Sequence, residues 1–249
     1  MELSFKHRTI LVTGATRGIG KQIANDLGRL GATLLLTGTN PDEIEELNRK
    51  ARTEKNGKRY FCLDLMKDES LAKFLVDLEE IPVIDGLVNN AGINRLNALQ
   101  DVVLQDWDDM LAVNLTAPFQ IIRVLSKKMI ANGYGRIINV GSIFSKISKE
   151  RRSVYSATKF GIHGLTVGAS NDLARYNILI NTLSPGFILT ELTKKNLSEM
   201  EMADLKNMIP AKRLGNVNEI SKVAVFLMSD LNQYLTGQNI IVDGGFTNV

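Results

Sequence analysis

The chain has 249 residues, 44% of them hydrophobic and 23% charged, close to the most that one hydrophobic core supports, so a single domain spanning 1–249 is expected. Its 30 Lys and Arg against 27 Asp and Glu leave a net charge of only +3, spread along the chain, which argues against a nucleic-acid binder. One cysteine, Cys62, excludes an intramolecular disulfide framework and suits a reducing cytosol; no apolar run approaches the ~20 residues of a membrane span, and Met1 to Arg8 reads as neither signal peptide nor presequence.

Short apolar, β-branched runs alternate with longer segments of helical period. Thr9 to Thr13 reads as a strand, and Ile19, Ile23, Leu27 and Leu30 then recur on one helical stripe that Gly31 ends. Thr33 to Thr37 is a second strand, leading through Asn40 and Pro41 into a helix over 42–55 whose acidic start complements the helix dipole. Further strands are predicted at Arg59 to Leu63, Gly86 to Asn89, Arg136 to Val140, Ile178 to Leu183 and Asn239 to Val242. Runs apolar on both faces suit a parallel sheet covered on both sides. The fold expected is therefore α/β: one doubly wound parallel sheet of about seven strands with helices on both faces, binding its ligand at the carboxyl ends of the strands.

Gly14-Ala15-Thr16-Arg17-Gly18-Ile19-Gly20 falls between the first strand and the first helix. Glycines there let the backbone approach a pyrophosphate at a helix N-terminus, although a strand-to-helix turn also needs glycine for geometry alone. Tyr155 and Lys159 stand four residues apart on one predicted helix face, with Ser142 just past the strand ending at Val140. An ammonium beside a phenol favours the phenolate and brings an ordinary pKa of about 10 nearer the working range. A surface Tyr and Lys on a helix fit the same spacing.

The motifs together, Thr13-Gly14-x3-Gly18-x-Gly20, Asp64, Asn89-Asn90-Ala91-Gly92, Asn114, Ser142, Tyr155-x3-Lys159 and Pro185-Gly186, make the chain resemble a short-chain dehydrogenase/reductase along essentially its whole length. The resemblance implies a Rossmann-type NAD(P)-binding domain in which Tyr155 is the proton donor or acceptor and Ser142 orients the reacting oxygen. Lys159 would bind the nicotinamide ribose and perturb Tyr155, and Asn114 would complete a water relay. It also implies cofactor contacts from Gly14, Thr16, Arg17, Gly18, Ile19, Gly20, Thr39, Asp64, Leu65, Asn90, Ala91, Gly92, Tyr155, Lys159, Pro185, Gly186, Ile188 and Thr190. A substrate lid over 190–212, and a homo-oligomer, tetramer or dimer, with helices after Trp107 and Ser153 at one interface, follow from the same likeness.

Charge favours NADPH over NAD. No acid stands in Thr37-Gly38-Thr39-Asn40 to hold a ribose 2′-hydroxyl or repel a 2′-phosphate, and Arg17 has the fork geometry to pair with that phosphate. Asp42 and Glu43 follow closely, but a helix start explains them.

Among family branches the chain resembles the 3-oxoacyl-acyl-carrier-protein reductases, which implies reduction of a β-keto thioester and a place in fatty acid biosynthesis, with acyl carrier protein as a possible partner. Two departures stand against this. Ser148-Lys149-Glu150-Arg151-Arg152-Ser153 replaces the Gly- and Gln-containing loop such reductases carry, and Gly133 and Tyr176 stand where docking arginines are expected, with Arg136 and Arg175 nearby. The basic loop, with Lys146, is either a solvated turn or a receptor for an anionic substrate. A sugar or sugar-nucleotide alcohol dehydrogenase is the rival enzyme reading, and a non-catalytic cofactor-binding regulator the rival of another class. The segment 192–209, with Met200, Met202 and Met208, reads as an amphipathic helix. His7, His163 and Cys62 form no metal-site pattern, so no metal is expected; His163 and Trp107 are read as packing residues.

Overall fold

The computed structural model describes residues 3–190 and 199–248. Seven parallel strands form its main sheet: β1 (Thr9–Val12), β2 (Thr33–Gly38), β3 (Lys58–Cys62), β4 (Gly86–Asn89), β5 (Gly135–Val140), β6 (Ile178–Pro185) and, last in the chain, β9 (Asn239–Val242). Their spatial order is β3-β2-β1-β4-β5-β6-β9, so the chain reverses its direction of travel across the sheet between β1 and β4. That reversal opens the crevice in which such sheets bind ligands. Two short strands, β7 (Ile188–Leu189) and β8 (Gly215–Asn216), pair apart from the main sheet, a feature not foreseen in the sequence.

Helices α1 (Gly18–Arg29), α2 (Pro41–Glu54), α3 (Asp68–Glu79), α4 (Leu104–Leu111), α5 (Ala117–Asn132), α6 (Ser153–Leu173), α7 (Glu199–Met208) and α8 (Val217–Met228) connect and flank the strands. Their ends follow local chemistry. Gly31 adopts φ +96° just beyond α1. Asn40 caps α2 by accepting from the amides of Asp42 (3.0 Å) and Glu43 (3.1 Å). Asn216 and Glu219 form a capping box at α8, reinforced by the Arg213 fork on Glu219 at 2.9 and 2.6 Å.

Strand alternation divides the core between the two faces of the sheet. Leu11, Leu35, Leu87, Ile137 and Ile180 pack with Leu71, Phe74, Ile121 and Leu125 of α3 and α5. Ile10, Val12, Leu34, Leu36, Val88 and Leu183 pack with Ile23, Leu27, Ile220 and Ala224 of α1 and α8. Ile121, Ile122 and Leu125 are core residues. Trp107 is not a packing residue: it is 40% exposed on α4, which presents its indole outward.

Ile121 is fully buried at the centre of one cluster. Ile121→Ala removes three heavy atoms from a close-packed region, so it should cost about 2–5 kcal/mol and lower the melting temperature by roughly 5–15 °C, read by thermal unfolding.

Candidate active site

At the chain reversal, the ends of β1 and β4 are clasped together. The Thr13 hydroxyl oxygen accepts from the amides of Asn90 and Ala91, each at 3.0 Å, and the Asn90 side-chain amide donates to the carbonyls of Thr13 (2.9 Å) and Gly14 (3.0 Å). The Gly14 amide reaches the Thr37 hydroxyl (3.1 Å) and the Ala15 amide the Thr37 carbonyl (2.8 Å), which fixes the loop against β2 as well. Gly14 and Gly18 adopt φ +62° and +57°, and a Cβ on Gly20 would collide with the Asn90 amide and the Gly14 carbonyl.

Helix α1 opens from this loop with no side-chain cap and no acidic residue in its first turn, which leaves its first amides and the positive end of its dipole facing the crevice. That open cradle fits a dinucleotide pyrophosphate. The Thr16 methyl abuts Gly38, so the loop lies over the end of β2, where Thr39 is exposed. Arg17 is exposed at the crest of the same loop. Leu65 is buried beyond β3, and the Asp64 carboxylate beside it accepts from the Met66 amide (3.1 Å) and pairs with Lys67 (3.6 Å).

Asn114 lies in a π-helical turn, Ala112–Thr116, between α4 and α5. Its side-chain oxygen accepts from the Ile93 amide (2.9 Å), and its amide donates to the Ile93 carbonyl (2.9 Å) and the Thr158 hydroxyl (3.1 Å). Such widened turns recur at functional sites because they re-aim a side chain without breaking the helix. Thr158 thus bridges the turn to α6, where Tyr155 and Lys159 occupy one face with the Lys159 nitrogen 5.6 Å from the phenol ring centroid. A Cβ on Gly92 would lie 3.3 Å from the Asn114 oxygen and 3.8 Å from the Lys159 nitrogen, so Gly92, Asn114 and Lys159 converge. Ser142 follows β5, and Phe144 packs edge-on to Tyr155 with centroids 6.0 Å apart.

The electrostatics differ from the expectation. Burial dominates at Tyr155 and raises its pKa; hydrogen bonding with Ser142 and the charge of Arg152 pull it down. Lys159 is not the cause of any lowering. Its ammonium donates to the Val140 carbonyl at 2.8 Å, and burial brings its own pKa down from 10.5 to about 8. The ammonium is held by the β5 carbonyl, and desolvation is the leading cause at both groups.

A sequence profile of the short-chain dehydrogenase/reductases, described as "Enoyl-(Acyl carrier protein) reductase", matches residues 14–247. The chain belongs to that family. It is 37% identical over 250 residues to the 3-oxoacyl-[acyl-carrier-protein] reductase FabG of Aquifex aeolicus, covering 98% of this chain and 99% of that one. It is 35% identical to the gluconate 5-dehydrogenase of Gluconobacter oxydans, over 95% of this chain and 93% of that one. A gluconate 5-dehydrogenase from Burkholderia cenocepacia, crystallised with NADP and tartrate, superposes with a TM-score of 0.92 at 33% identity, covering 100% of this chain and 98% of that one. This short-chain dehydrogenase/reductase is an NAD(P)-dependent oxidoreductase on a Rossmann-type sheet.

The structure separates the basic residues that the sequence groups together. Arg151 and Lys149 line an outer recess of about 460 Å³ with Ala98, Leu99 and Gln100, and the Arg151 guanidinium donates to the Leu96 carbonyl at 3.2 Å. Arg152 instead lies over the Phe144 ring, 5.4 Å from its centroid, on the Tyr155 side. Lys146 does not join the loop: it donates to Asn248 at 3.0 Å and acts on Asp243. Arg136, near a position expected for a carrier-docking arginine, is 3% exposed and donates to the carbonyls of Gly135 and Asn177. His163 meets Thr182 at 3.3 Å, as a packing residue should. Pro185 and Gly186 end β6 beside Asp243, close enough that a Cβ on Gly186 would meet the Asp243 backbone at 2.7 Å; Ile188 and Thr190 follow. Of the expected lid over 190–212, residues 191–198 lie outside the described residues, and α7 covers the centre with Met200 and Met208 exposed. Thr13 was named only as the first residue of the glycine motif, and Thr158 and Phe144 were not identified as site-building residues; a hydroxyl or ring beside a motif gives no periodic signal of its own.

Lys159 binds a proton in the unfolded chain up to its ordinary pKa of 10.5 but in the folded cofactor-free protein only up to about 8. The unfolded state therefore holds more protons between those values, and stability rises with pH through that window; below it the full cost of burying the ammonium is present. Lys159→Met should raise the melting temperature of the cofactor-free protein at pH 7 by at least about 3 °C. The gap should narrow as the pH rises above 8 and close only beyond 10.5. Scanning fluorimetry across this range tests it, and an unchanged or lower melting temperature at pH 7 refutes the assignment.

Proposed function

We propose that this enzyme interconverts a ketone and a secondary alcohol with NADPH or NADP, using Tyr155 as the acid or base. The convergence of Ser142, Tyr155, Lys159 and Asn114 at the mouth of the glycine-loop crevice carries this reading. The bound nicotinamide supplies or accepts the hydride. Gly14, Thr16, Arg17, Gly18, Ile19 and Gly20 would hold the pyrophosphate and adenosine side, with Thr39, Asp64 and Leu65. Asn90, Ala91, Gly92, Pro185, Gly186, Ile188 and Thr190 would line the nicotinamide side.

In reduction, Ser142 holds the carbonyl oxygen and Tyr155 gives it a proton as negative charge develops there. A raised phenol pKa suits this direction, because it keeps Tyr155 protonated at neutral pH. Oxidation needs the phenolate and so gains with rising pH. Lys159 would hold the cofactor ribose, and Asn114, which grips the Ile93 backbone, would position the water that resupplies the proton. A pure binding module has no need of this full set.

Two observations separate the substrate classes. Arg136 is buried, and Gly133 and Tyr176 carry no charge, which leaves Arg175, exposed over the Tyr176 ring, beside the positions expected for docking an acyl carrier protein. Arg152 brings a positive charge to Tyr155. The geometry therefore favours a small polar keto substrate of the sugar-acid kind. The second reading, a 3-oxoacyl thioester of fatty acid biosynthesis, is favoured by 37% identity to the Aquifex aeolicus reductase.

Trp107 on α4, Phe119 on α5, and Phe160 and Val167 on α6 are exposed and support a homo-oligomer, dimer or tetramer, through these helices. Among the described residues no helix is long and apolar enough to cross a membrane, and a cytoplasmic location agrees with the free thiol of Cys62.

Tyr155→Phe should lower kcat for ketone reduction by at least about a hundredfold while leaving NADPH affinity within a few-fold. Normal turnover by this variant would sink the assignment. For the cofactor, Arg17→Ala should weaken NADPH binding about tenfold or more and leave NADH binding nearly unchanged, measured by fluorescence titration. Equal losses for the two cofactors would remove Arg17 from the phosphate site.

A further inference from the structure

Arg152 is the one element of the reacting region that the hydride-transfer machinery leaves without a task. Of the other arginines, Arg8, Arg29, Arg95 and Arg213 pair with carboxylates, Arg136 with two carbonyls and Arg151 with one, while Arg17, Arg49, Arg52, Arg59, Arg123 and Arg175 are exposed to water. Among the described residues, the groups that act on Arg152 are the surrounding protein, which desolvates it, Tyr155 and Arg151. Glu150 is exposed on the outer recess and is not among them. A partly buried guanidinium without an anionic partner is costly unless a ligand supplies one.

The backbone holds this arrangement in place. Arg151 adopts φ +61°, a left-handed conformation that disfavours a side chain as large as arginine. That turn sends two adjacent arginines to opposite sides, Arg151 to the Leu96 carbonyl outside and Arg152 over Phe144 inside. The Ser148 and Ser156 hydroxyls, 2.7 Å apart, tie the loop to α6. Phe144 then links the two groups that matter, with the guanidinium over its face and the Tyr155 ring against its edge. Helix α6 begins directly after Arg152 with no side-chain cap and no acidic residue in its first turn, so its positive end adds to the same field.

We propose that Arg152 is the substrate-anion receptor of this enzyme, seating the carboxylate of a small keto or hydroxy acid beside Phe144 while the reacting oxygen lies at Ser142 and Tyr155. The inference rests on the reading of Tyr155 and Ser142 as the reacting-oxygen site. A guanidinium fork matches a carboxylate in a bidentate pair, and its flat face can keep its stacking on the ring while it does so. One unpaired positive charge balances one carboxylate. A phosphate carries nearly twice that charge, and the residues that would complete its site, Arg151 and Lys149, face the outer recess. Arg152 is thus a specificity residue: it decides which ketones are presented to Tyr155 and takes no proton itself.

The test uses the full chain loaded with NADP and titrates D-gluconate by calorimetry in wild type, Arg152→Gln, Arg151→Gln and Tyr155→Phe. Arg152→Gln should weaken gluconate binding at least about tenfold, whereas Arg151→Gln and Tyr155→Phe should stay within a few-fold of wild type. In turnover with NADPH, Arg152→Gln should raise KM for 5-keto-D-gluconate by a similar factor with kcat little changed, and leave KM for neutral D-fructose unaltered. Arg152→Lys should recover part of the loss, which separates charge from folding. Undiminished gluconate binding by Arg152→Gln overturns the proposal, as does a wild type that binds no gluconate, or an equal rise in KM for fructose. Tighter binding of D-fructose 6-phosphate than of gluconate, lost with Arg152, would replace the carboxylate by a phosphate. Full turnover by Tyr155→Phe would overturn the acid assignment while leaving the anion site standing.

Discussion

The clasp between Thr13 and Asn90 is the constraint on which the site depends. In a parallel sheet each strand end points its unpaired backbone groups into the same crevice, and at the chain reversal the loops after β1 and β4 turn away from one another. Nothing in sheet pairing alone sets their distance. Thr13 sets it by accepting two amides from the β4 loop, and Asn90 by returning two hydrogen bonds to the β1 loop. Four polar contacts across the reversal turn two independent loops into one wall of the cofactor crevice. This also explains why Gly20 must be glycine: the space a Cβ would need is taken by the Asn90 amide.

The opposite wall is built at a cost in stability. Lys159 is buried with one carbonyl partner, Tyr155 is desolvated beside it, and Asn114 hangs in a widened turn of helix. Each feature disfavours the cofactor-free fold and favours a bound state, because the anionic, hydrogen-bonding cofactor offers the ammonium and the amides what the protein withholds. The stability to carry this comes from elsewhere, from two apolar layers that cover both faces of the sheet. Core and site are in this sense complementary, one giving the energy that the other spends.

How far the sequence could be read follows the same division. Strands buried on both faces leave continuous apolar runs, so Gly86–Asn89 and Asn239–Val242 appear with the boundaries expected, and β1, β2, β3, β5 and β6 differ from expectation by one or two residues at their ends. The glycine loop, Tyr155 and Lys159 are legible because spacing puts the loop between strand and helix and the pair on one helix face, while the resemblance to a known family supplies their roles. What escapes is whatever depends on tertiary contact. The β7–β8 pair joins residues 27 positions apart that carry only two-residue strands. The π-helical turn at Asn114 has no sequence period. Lys146 and Arg152, both basic and near Tyr155 in the chain, part company because one finds Asn248 and the other Phe144. Trp107 looks like core by composition but faces outward on α4. The charge effect on Tyr155 was assigned to Lys159 from spacing, whereas burial and the direction of the ammonium give Arg152 and Ser142 that part.

Arg17, Lys159 and Arg152 carry the same formal charge, yet solvation assigns them different work. Arg17 stands in water, where attraction is screened, so in its proposed role it would select a phosphate by fork geometry more than by field strength. Lys159 is withdrawn from water, so its proton is weakly held. Arg152 lies between these limits, half-buried on an aromatic ring, where guanidinium is the better choice because it is weakly hydrated and keeps its charge. It is also the only one of the three on a loop outside the glycine turn and the α6 face. A substitution there leaves the cofactor wall and the proton donor in place, which is how one hydride-transfer frame accepts a change of substrate without being rebuilt.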